Sequence, residues 1–485
     1  MNATPSIDPR RALLLFLAIL VLAVPQAALL PLLDRDEPRF AEAAREMIQS
    51  GNYVVPTFNG APRYAKPPLI YWCQAASYAV FGENAFAARL PSLLATAATA
   101  CLLFTWGVRL GSERIGLGAA LAYAFCFQAM QQGRVATADA LLIFFMTLTA
   151  FAGWQIIRPR AEGKCRPICY GVLVLGFAGG FLAKGPEALL PLIPLLWCAR
   201  KESAVRARIF GSFLTGLALV LLWAVPALVQ SHGDYFKVGI GEDVVHRMAG
   251  GDFQGHGTSG IGWYFLGLFY YVLLFWISAL PWSPLLVIQR RALFRGWKLD
   301  LADTYLTLNA ALIFIIFTLM TTKLPHYTLP AFPFLALLFA RRWHEVKLGP
   351  LPTKLGWIAG IGLTVVAAIG IPIGLACHAT PSPAGELVRQ AGDVLSPQAQ
   401  VGMVDFREPT AVWETRRIVT GDLQLVGDAD PLTFLKELGP RAIILSTPLW
   451  YRLELPSDPA WKIYTARGFN AAKGRFIDLT LVVKP

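Results

Sequence analysis

Residues 12–39 read ALLLFLAILVLAVPQAALLPLLDRDEPR, an apolar run from Ala12 to about Leu33 that ends directly on Asp34-Arg35-Asp36-Glu37-Pro38-Arg39. The run has about the 20 residues needed to cross roughly 30 Å of hydrocarbon. Arg10 and Arg11 precede it, yet it is longer than the apolar core of a secretory leader, and no small-residue cleavage site followed by a soluble domain is seen. It is expected to be a retained first membrane helix. Five charges within six residues at its end must be hydrated, paired or used.

The remainder of the chain extends that pattern. Of 485 residues, 55% are hydrophobic and 15% charged, and the mean hydropathy is +0.51, values too apolar for a soluble protein. Further apolar runs lie at about 86–108, 115–132, 138–157, 168–183, 187–199, 209–229, 261–288, 304–320, 327–340 and 355–377. An α-helical polytopic membrane protein with about 11–13 transmembrane helices is expected. Residues 34–85, broken by Pro and Gly through GNYVVPTFNGAPRYAKPPLIYW, should instead form a long outer loop with short interfacial helices.

The net charge of +12 does not point to nucleic acid. Its basic residues sit in short loops between apolar runs, as topology alone requires. Arg10/Arg11, Arg109/Arg114, Arg158/Arg160/Lys164/Arg166, Arg200/Lys201/Arg206/Arg208, Arg290/Arg291/Arg295/Lys298 and Arg341/Arg342/Lys347 occupy alternate connections, which are therefore cytoplasmic, with the N-terminus. The other connections face the periplasm of a Gram-negative host and mix Asp, Glu, His, Lys, Arg and Tyr. That mixture is not demanded by topology, so chemistry is expected on the outer face.

Seven cysteines, mostly within apolar runs, do not form a disulfide framework. Cys165 and Cys169 have no second ligand pair, which argues against a zinc site there. From about Thr380 the composition becomes that of a soluble domain, with strand-like runs Val401–Phe406, Ala442–Ser446 and Ile477–Val483 and a helix-like segment Pro431–Leu438. A membrane domain over 1–379 and a small periplasmic α/β domain over 380–485 follow, the latter stabilising or docking an acceptor.

Asp36 and Glu37 are the leading catalytic candidates, because a carboxylate at the mouth of a membrane cavity can serve as general base or orient a substrate. A self-paired interfacial helix stop is the plainer reading. Asp139, at the outer start of run 138–157, suits either a second active-site acid or a carboxylate favoured by the helix dipole. The outer cations Arg39, Arg63, Lys66, Arg134, Lys184 and Lys323 suit an anionic ligand such as a phosphate if they converge. Each alone could be an interfacial lysine or arginine. His256, between Gly255 and Gly257, sits in a glycine-rich outer loop that can act as a lid.

The segments LLDRDEPRFAEAAREMIQSGNYVVP (32–56), RYAKPPLIYW (63–72), GRVATADALLIFF (133–145), LAKGPEALLPL (182–192) and KLPHYTLPAFPFLALLFA (323–340) occur in the order of a known pattern. The chain resembles the bacterial branch of the protein O-mannosyltransferase superfamily, membrane glycosyltransferases of the C fold (GT-C), and within it the aminoarabinose lipid A transferases and their relatives. That resemblance implies a transferase that uses a sugar carried on polyprenyl phosphate and acts at the outer membrane face on lipid A or the lipopolysaccharide core. Asp36 falls on the family's acid after the first helix and Asp139 on its second acid. Arg39, Lys66, Lys184 and Lys323 match positions expected near the donor phosphate, and Tyr327 completes the Lys-x-Pro-x-Tyr pattern. The aminoarabinose enzymes carry glutamate before the lysine of the Lys-Pro motif, as a metal partner of a loop histidine. Here that position is Ala65, which argues against a divalent metal held with His256 and leaves the sugar open to galacturonic acid or a hexose. An enzyme acting on polypeptide and a transporter of lipid-linked sugar are the alternatives; the absence of an internal repeat speaks against the transporter.

Overall fold

The computed structural model describes residues 8–33, 35–158, 167–246, 265–346, 382–427, 430–454, 458–470 and 473–485, with isolated residues between 356 and 374. Among the described residues, five helices are long and apolar enough to cross a membrane: Pro9–Leu29, Ala85–Leu110, Asp139–Ile157, Ser203–Gln230 and Leu301–Leu319. They coincide with five of the expected runs. Apolar side chains such as Leu14 and Val21 on the first helix and Leu222 and Val229 on the fourth stay exposed, as befits a surface solvated by lipid rather than water.

Several other runs are broken rather than straight. Run 261–288 becomes two helices, Phe265–Ser278 and Trp282–Ile288, bent by 101° across Leu280-Pro281, where proline removes a helix donor. Run 115–132 divides into Glu113–Ala124, capped by Ser112 Oγ accepting from the Ile115 N–H, and Phe127–Gln132. Run 187–199 starts as a tight turn at Pro186–Leu189 before helix Leu192–Cys198, and run 327–340 does the same at Pro325–Ala331 before helix Phe332–Glu345. Prolines 186, 191 and 325 set these entries, fixing φ where a first helical turn needs no donor. Most of run 355–377 falls outside the described residues.

The chain divides into two compact units. The first comprises Met1–Ala23, Tyr64–Ile70 and Pro91–Ala367, and the second Val24–Arg63, Tyr71–Leu90 and Ala368–Pro485. The first unit is built around Trp106, whose ring lies 5.7 Å from Phe151, 6.3 Å from Phe334 and 6.5 Å from Tyr305. The buried Tyr305 hydroxyl donates to the Ala150 carbonyl at 3.0 Å, so this aromatic cluster leaves that polar group satisfied. Helices Ala85–Leu110 and Glu113–Ala124 touch backbone to backbone. A Cβ on Gly107 would stand 2.5 Å from Gly116 Cα, a separation only glycine permits.

In the second unit, C-terminal strands β3 (Gln400–Met403), β4 (Gln424–Leu425), β5 (Arg441–Ser446), β6 (Lys462–Asn470) and β7 (Arg475–Lys484) form one sheet in the order β4-β3-β5-β7-β6. β4, β3 and β5 run parallel, and β7 pairs antiparallel with both β5 and β6. The central strand shows why Arg441–Ser446 is almost continuously apolar. Ala442 and Ile444 enter one core with Val401, Leu387 and Val412, while Ile443 and Leu445 enter the other with Phe434, Trp461 and Val482. Both faces are covered, so period-2 alternation is lost from the sequence.

The same unit contains the segment after the first helix. Helix Asp36–Ser50 buries Phe40, Ala43, Ala44 and Met47 at helical spacing and ends on Gly51 in the left-handed conformation. A hairpin of β1 (Thr57–Phe58) and β2 (Ala61–Pro62) follows. Its turn is Asn59-Gly60 with φ of 52° and 72°, the residue pair that a two-residue hairpin turn of positive φ favours.

Candidate active site

Each sequence-derived candidate among the described residues can be placed within its own unit. In the second unit, the first turn of helix Asp36–Ser50 carries Asp36 and Glu37, acids favoured at a helix N-terminus. Their environments then diverge sharply. Glu37 is buried and faces Arg89 through two parallel bonds, Nε to Oε1 and Nη2 to Oε2, both 2.7 Å. Glu37 Oε2 also accepts from the Leu33 N–H at 2.8 Å. Arg89 spends its remaining donors on the carbonyls of Ala27, Leu30 and Pro31 at 3.0, 2.6 and 2.7 Å. The pair therefore binds the carbonyl end of the first helix to the start of the next, a geometry that a bidentate guanidinium provides and a lysine does not.

Asp36 has no such anchorage. Its side chain is 54% exposed and pairs with Arg39 at 4.0 Å, a separation that contributes little. Arg39 is only 28% exposed. Burial lowers its pKa, and the neighbouring Arg63 lowers it further, while Asp36 raises it. Arg63 is itself held in place, donating from Nε to the Tyr71 hydroxyl at 3.0 Å and lying 5.1 Å from the Phe40 ring centre. Arg35 pairs with Glu408 at 3.4 Å. Crowded guanidiniums beside a weakly held carboxylate form a locally cationic surface able to take an anion.

In the first unit, Asp139 opens helix Asp139–Ile157 and Lys184 closes helix Ile168–Lys184. Lys184 Nζ donates to Asp139 Oδ1 at 2.8 Å, and Asp139 Oδ2 accepts from Thr137 Oγ1 at 2.9 Å and Gln132 Nε2 at 3.0 Å. Glu187 stands 3.4 Å from the ammonium, and the Tyr327 ring centre 5.2 Å from it. Asp139, Lys184 and Tyr327 are thus brought together in one buried group. Lys323 caps the end of helix Leu301–Leu319, donating to the Thr318 and Met320 carbonyls at 2.6 Å each, and burial lowers its pKa. Lys66 belongs to this unit too; its carbonyl accepts from the Tyr235 hydroxyl, and Tyr235 packs against Tyr64 and Trp223. Burial brings Arg134 down to about 10.

His256 lies outside the described residues. Among the described residues no three His, Cys, Asp or Glu side chains gather as a metal-binding set.

Two features of the second unit had no sequence signal used for them. One is Arg89. The other is a buried group of charges, Glu42, Arg45, Glu46 and Arg416. Burial pushes the Glu42 carboxyl up from 4.5 to about 7, against the pull of Arg45. The folded protein thus holds this proton more tightly than the unfolded chain. Stability from Glu42 is complete below about 4.5 and is lost as pH rises through about 7. The thermal unfolding midpoint in detergent should fall across that window, and Glu42→Gln should flatten the slope; an unaltered slope would mean the effect comes from other groups.

Comparison with known proteins gives these geometries a context. Residues 65–229 match the family model described as dolichyl-phosphate-mannose-protein mannosyltransferase. A Sodalis glossinidius protein named undecaprenyl phosphate-alpha-4-amino-4-deoxy-L-arabinose arabinosyl transferase 2 is 30% identical over 427 residues, 84% of this chain and 74% of that one. A Pseudomonas aeruginosa transferase of the same kind is 32% identical over 344 residues, 68% of this chain; the match spans 60% of the relative's length. The crystal structure of ArnT from Cupriavidus metallidurans bound to undecaprenyl phosphate superposes with a TM-score of 0.78 at 17% identity, covering 99% of both chains. Its likeness establishes a shared fold. The helical membrane architecture with its small mixed-sheet C-terminal domain is that of a C-fold, polyprenyl-phosphate-sugar-dependent membrane glycosyltransferase. Within that class, the chain belongs to the family of the undecaprenyl phosphate aminoarabinose transferases.

Proposed function

We propose that this multi-pass protein moves a sugar from undecaprenyl phosphate to lipid A or the lipopolysaccharide core, with inversion at the anomeric carbon. It would act at the periplasmic face of the inner membrane, with the N-terminus cytoplasmic and the domain 380–485 periplasmic. The observation that carries this reading is the loosely held Asp36 carboxylate beside Arg39, which is half-buried and crowded by Arg63.

The donor arrives already activated, because its anomeric carbon is bonded to a phosphate that can leave. An acceptor hydroxyl attacks that carbon, the new C–O bond forms as the old bond to the phosphate oxygen breaks, and the proton passes to Asp36. Charge gathers on the departing lipid phosphate, and Arg39, 4.0 Å from Asp36, is the residue proposed to meet it. Lys66, Lys323 and Tyr327 match motif positions of the family, and that match is what supports a phosphate-binding role for each of them. Asp139 and Lys184 form a buried pair, so their part is to hold the ends of two helices and the Tyr327 ring in register. Glu37, engaged by Arg89, is assigned to positioning Asp36 rather than to proton transfer. If the acceptor is a lipid A phosphate, no proton is lost and Asp36 orients the reactants instead.

Similarity to relatives named as aminoarabinose transferases favours a pentose donor, whereas Ala65 removes the glutamate that would join His256 at a metal. The reading therefore includes no metal step. The match to the protein mannosyltransferase model keeps transfer to polypeptide as the second reading. Mass spectrometry of lipid A and of periplasmic glycoproteins, from cells with and without the gene, separates the two. Loss of a sugar mass from lipid A or core is expected; loss confined to glycoproteins would overturn the lipid acceptor.

A further inference from the structure

Helix Asp36–Ser50 begins with the proposed base and phosphate ligand, and its deeper turns are gripped by the C-terminal residues of the same unit. The side chain of Arg416, just past helix Pro409–Thr415, is 7% exposed, and its guanidinium stands 3.6 Å from Glu42 and 3.8 Å from Glu46. Asp422 pairs with the same guanidinium. Arg45 reaches in the opposite direction, donating from Nη2 to the Trp413 carbonyl at 3.2 Å and lying 4.6 Å from the Trp413 ring centre.

Glu46 serves a second purpose. Its carboxylate accepts from Thr57 Oγ1 and from the Asn59 N–H, both at 2.6 Å. Asn59 then exchanges two bonds with the Leu423 backbone, each 2.8 Å. Helix, hairpin and C-terminal domain are therefore interlocked through charges removed from water, where losing one partner is far costlier than at the surface.

Arg39, Glu42 and Glu46 follow one another at spacings of three and four residues, which places them along one side of the helix. A rotation or slide at Glu42 and Glu46 must reach Arg39 one turn away and Asp36 one turn beyond. We propose that Arg416 is a positioning residue for sugar transfer, setting the rotation of helix Asp36–Ser50 and thereby the placement of Asp36 and Arg39. This inference rests on the reading that those two residues act in transfer, and it gives the C-terminal domain a part in the reaction.

The test uses the full-length protein in detergent or nanodiscs with Arg416→Met, which keeps much of the volume, and Arg416→Lys, which keeps the charge. In Arg416→Met, amide exchange of helix Asp36–Ser50 should quicken about tenfold or more while β5 stays protected. Transfer per folded molecule should fall about 10- to 100-fold, chiefly in kcat, as expected for a misplaced catalytic group. Arg416→Lys should recover part of both, and its smaller changes carry the test if the methionine variant does not fold. Wild-type exchange in the helix, or wild-type turnover per folded molecule, would overturn the proposal. The exchange measurement needs no substrate, so a wild-type protein without transferase activity would sink the proposed function while leaving the mechanical link readable.

Discussion

Replacing Asp36 by asparagine should lower transfer to a hydroxyl acceptor by about 10²- to 10⁴-fold, the range for loss of a general base. The variant should fold normally, because Asp36 is more than half exposed and its ion pair with Arg39 is 4.0 Å long. The amide keeps the shape of the side chain but cannot take a proton in the working pH range. Undecaprenyl phosphate should therefore still bind, since its anion is met by Arg39. The measurement is kcat for the labelled product alongside the product-lipid Kd. A drop in affinity with unaltered kcat would make Asp36 an orienting group, which is the result expected if the acceptor is itself a phosphate.

Arg89→Met should produce the largest loss of stability. It leaves Glu37 buried without its bidentate partner and frees the carbonyls of Ala27, Leu30 and Pro31. Breaking one half of a buried ion pair costs about 3–5 kcal/mol. Restoring neutrality with the double variant Glu37→Gln/Arg89→Met should return part of that loss, because no charge is then stranded. Thermal unfolding in detergent reads both, and a single variant within a degree of wild type would show that the clamp is dispensable.

The first helix, the acidic cluster after it and Asp139 at the head of its helix were all legible in the sequence, because each depends on residues adjacent along the chain. The family resemblance singles out Asp36 over Glu37, but the physical difference between them was not legible. It is made by Arg89, 52 residues from Glu37, and nothing in the stretch FAARLPSLL around Arg89 marks it as a partner. Arg416 is hidden in the same way, its charge matched to Glu42 and Glu46 only after the C-terminal domain has folded.

Proline explains where the expected spans were too simple. Runs such as 187–199 and 261–288 have the composition of a membrane helix, but prolines divide them into shorter pieces. In the C-terminal domain, β5 was found because both of its faces are apolar. β6 (Lys462–Asn470) was missed because its first half is largely exposed and its residues KIYTARGFN carry no apolar run. The Asn59-Gly60 turn was a usable hairpin signal within a segment read as loop.

The central claim is that this chain transfers a sugar from a polyprenyl-phosphate donor. Purified protein in proteoliposomes, supplied with undecaprenyl phosphate carrying a radiolabelled pentose and with lipid A, tests it most directly. Label appearing on lipid A with stoichiometric release of undecaprenyl phosphate, and lost in Asp36→Asn, is the expected result. Counterflow of the intact labelled lipid across the bilayer with no product formed would contradict it and make the protein a carrier of lipid-linked sugar.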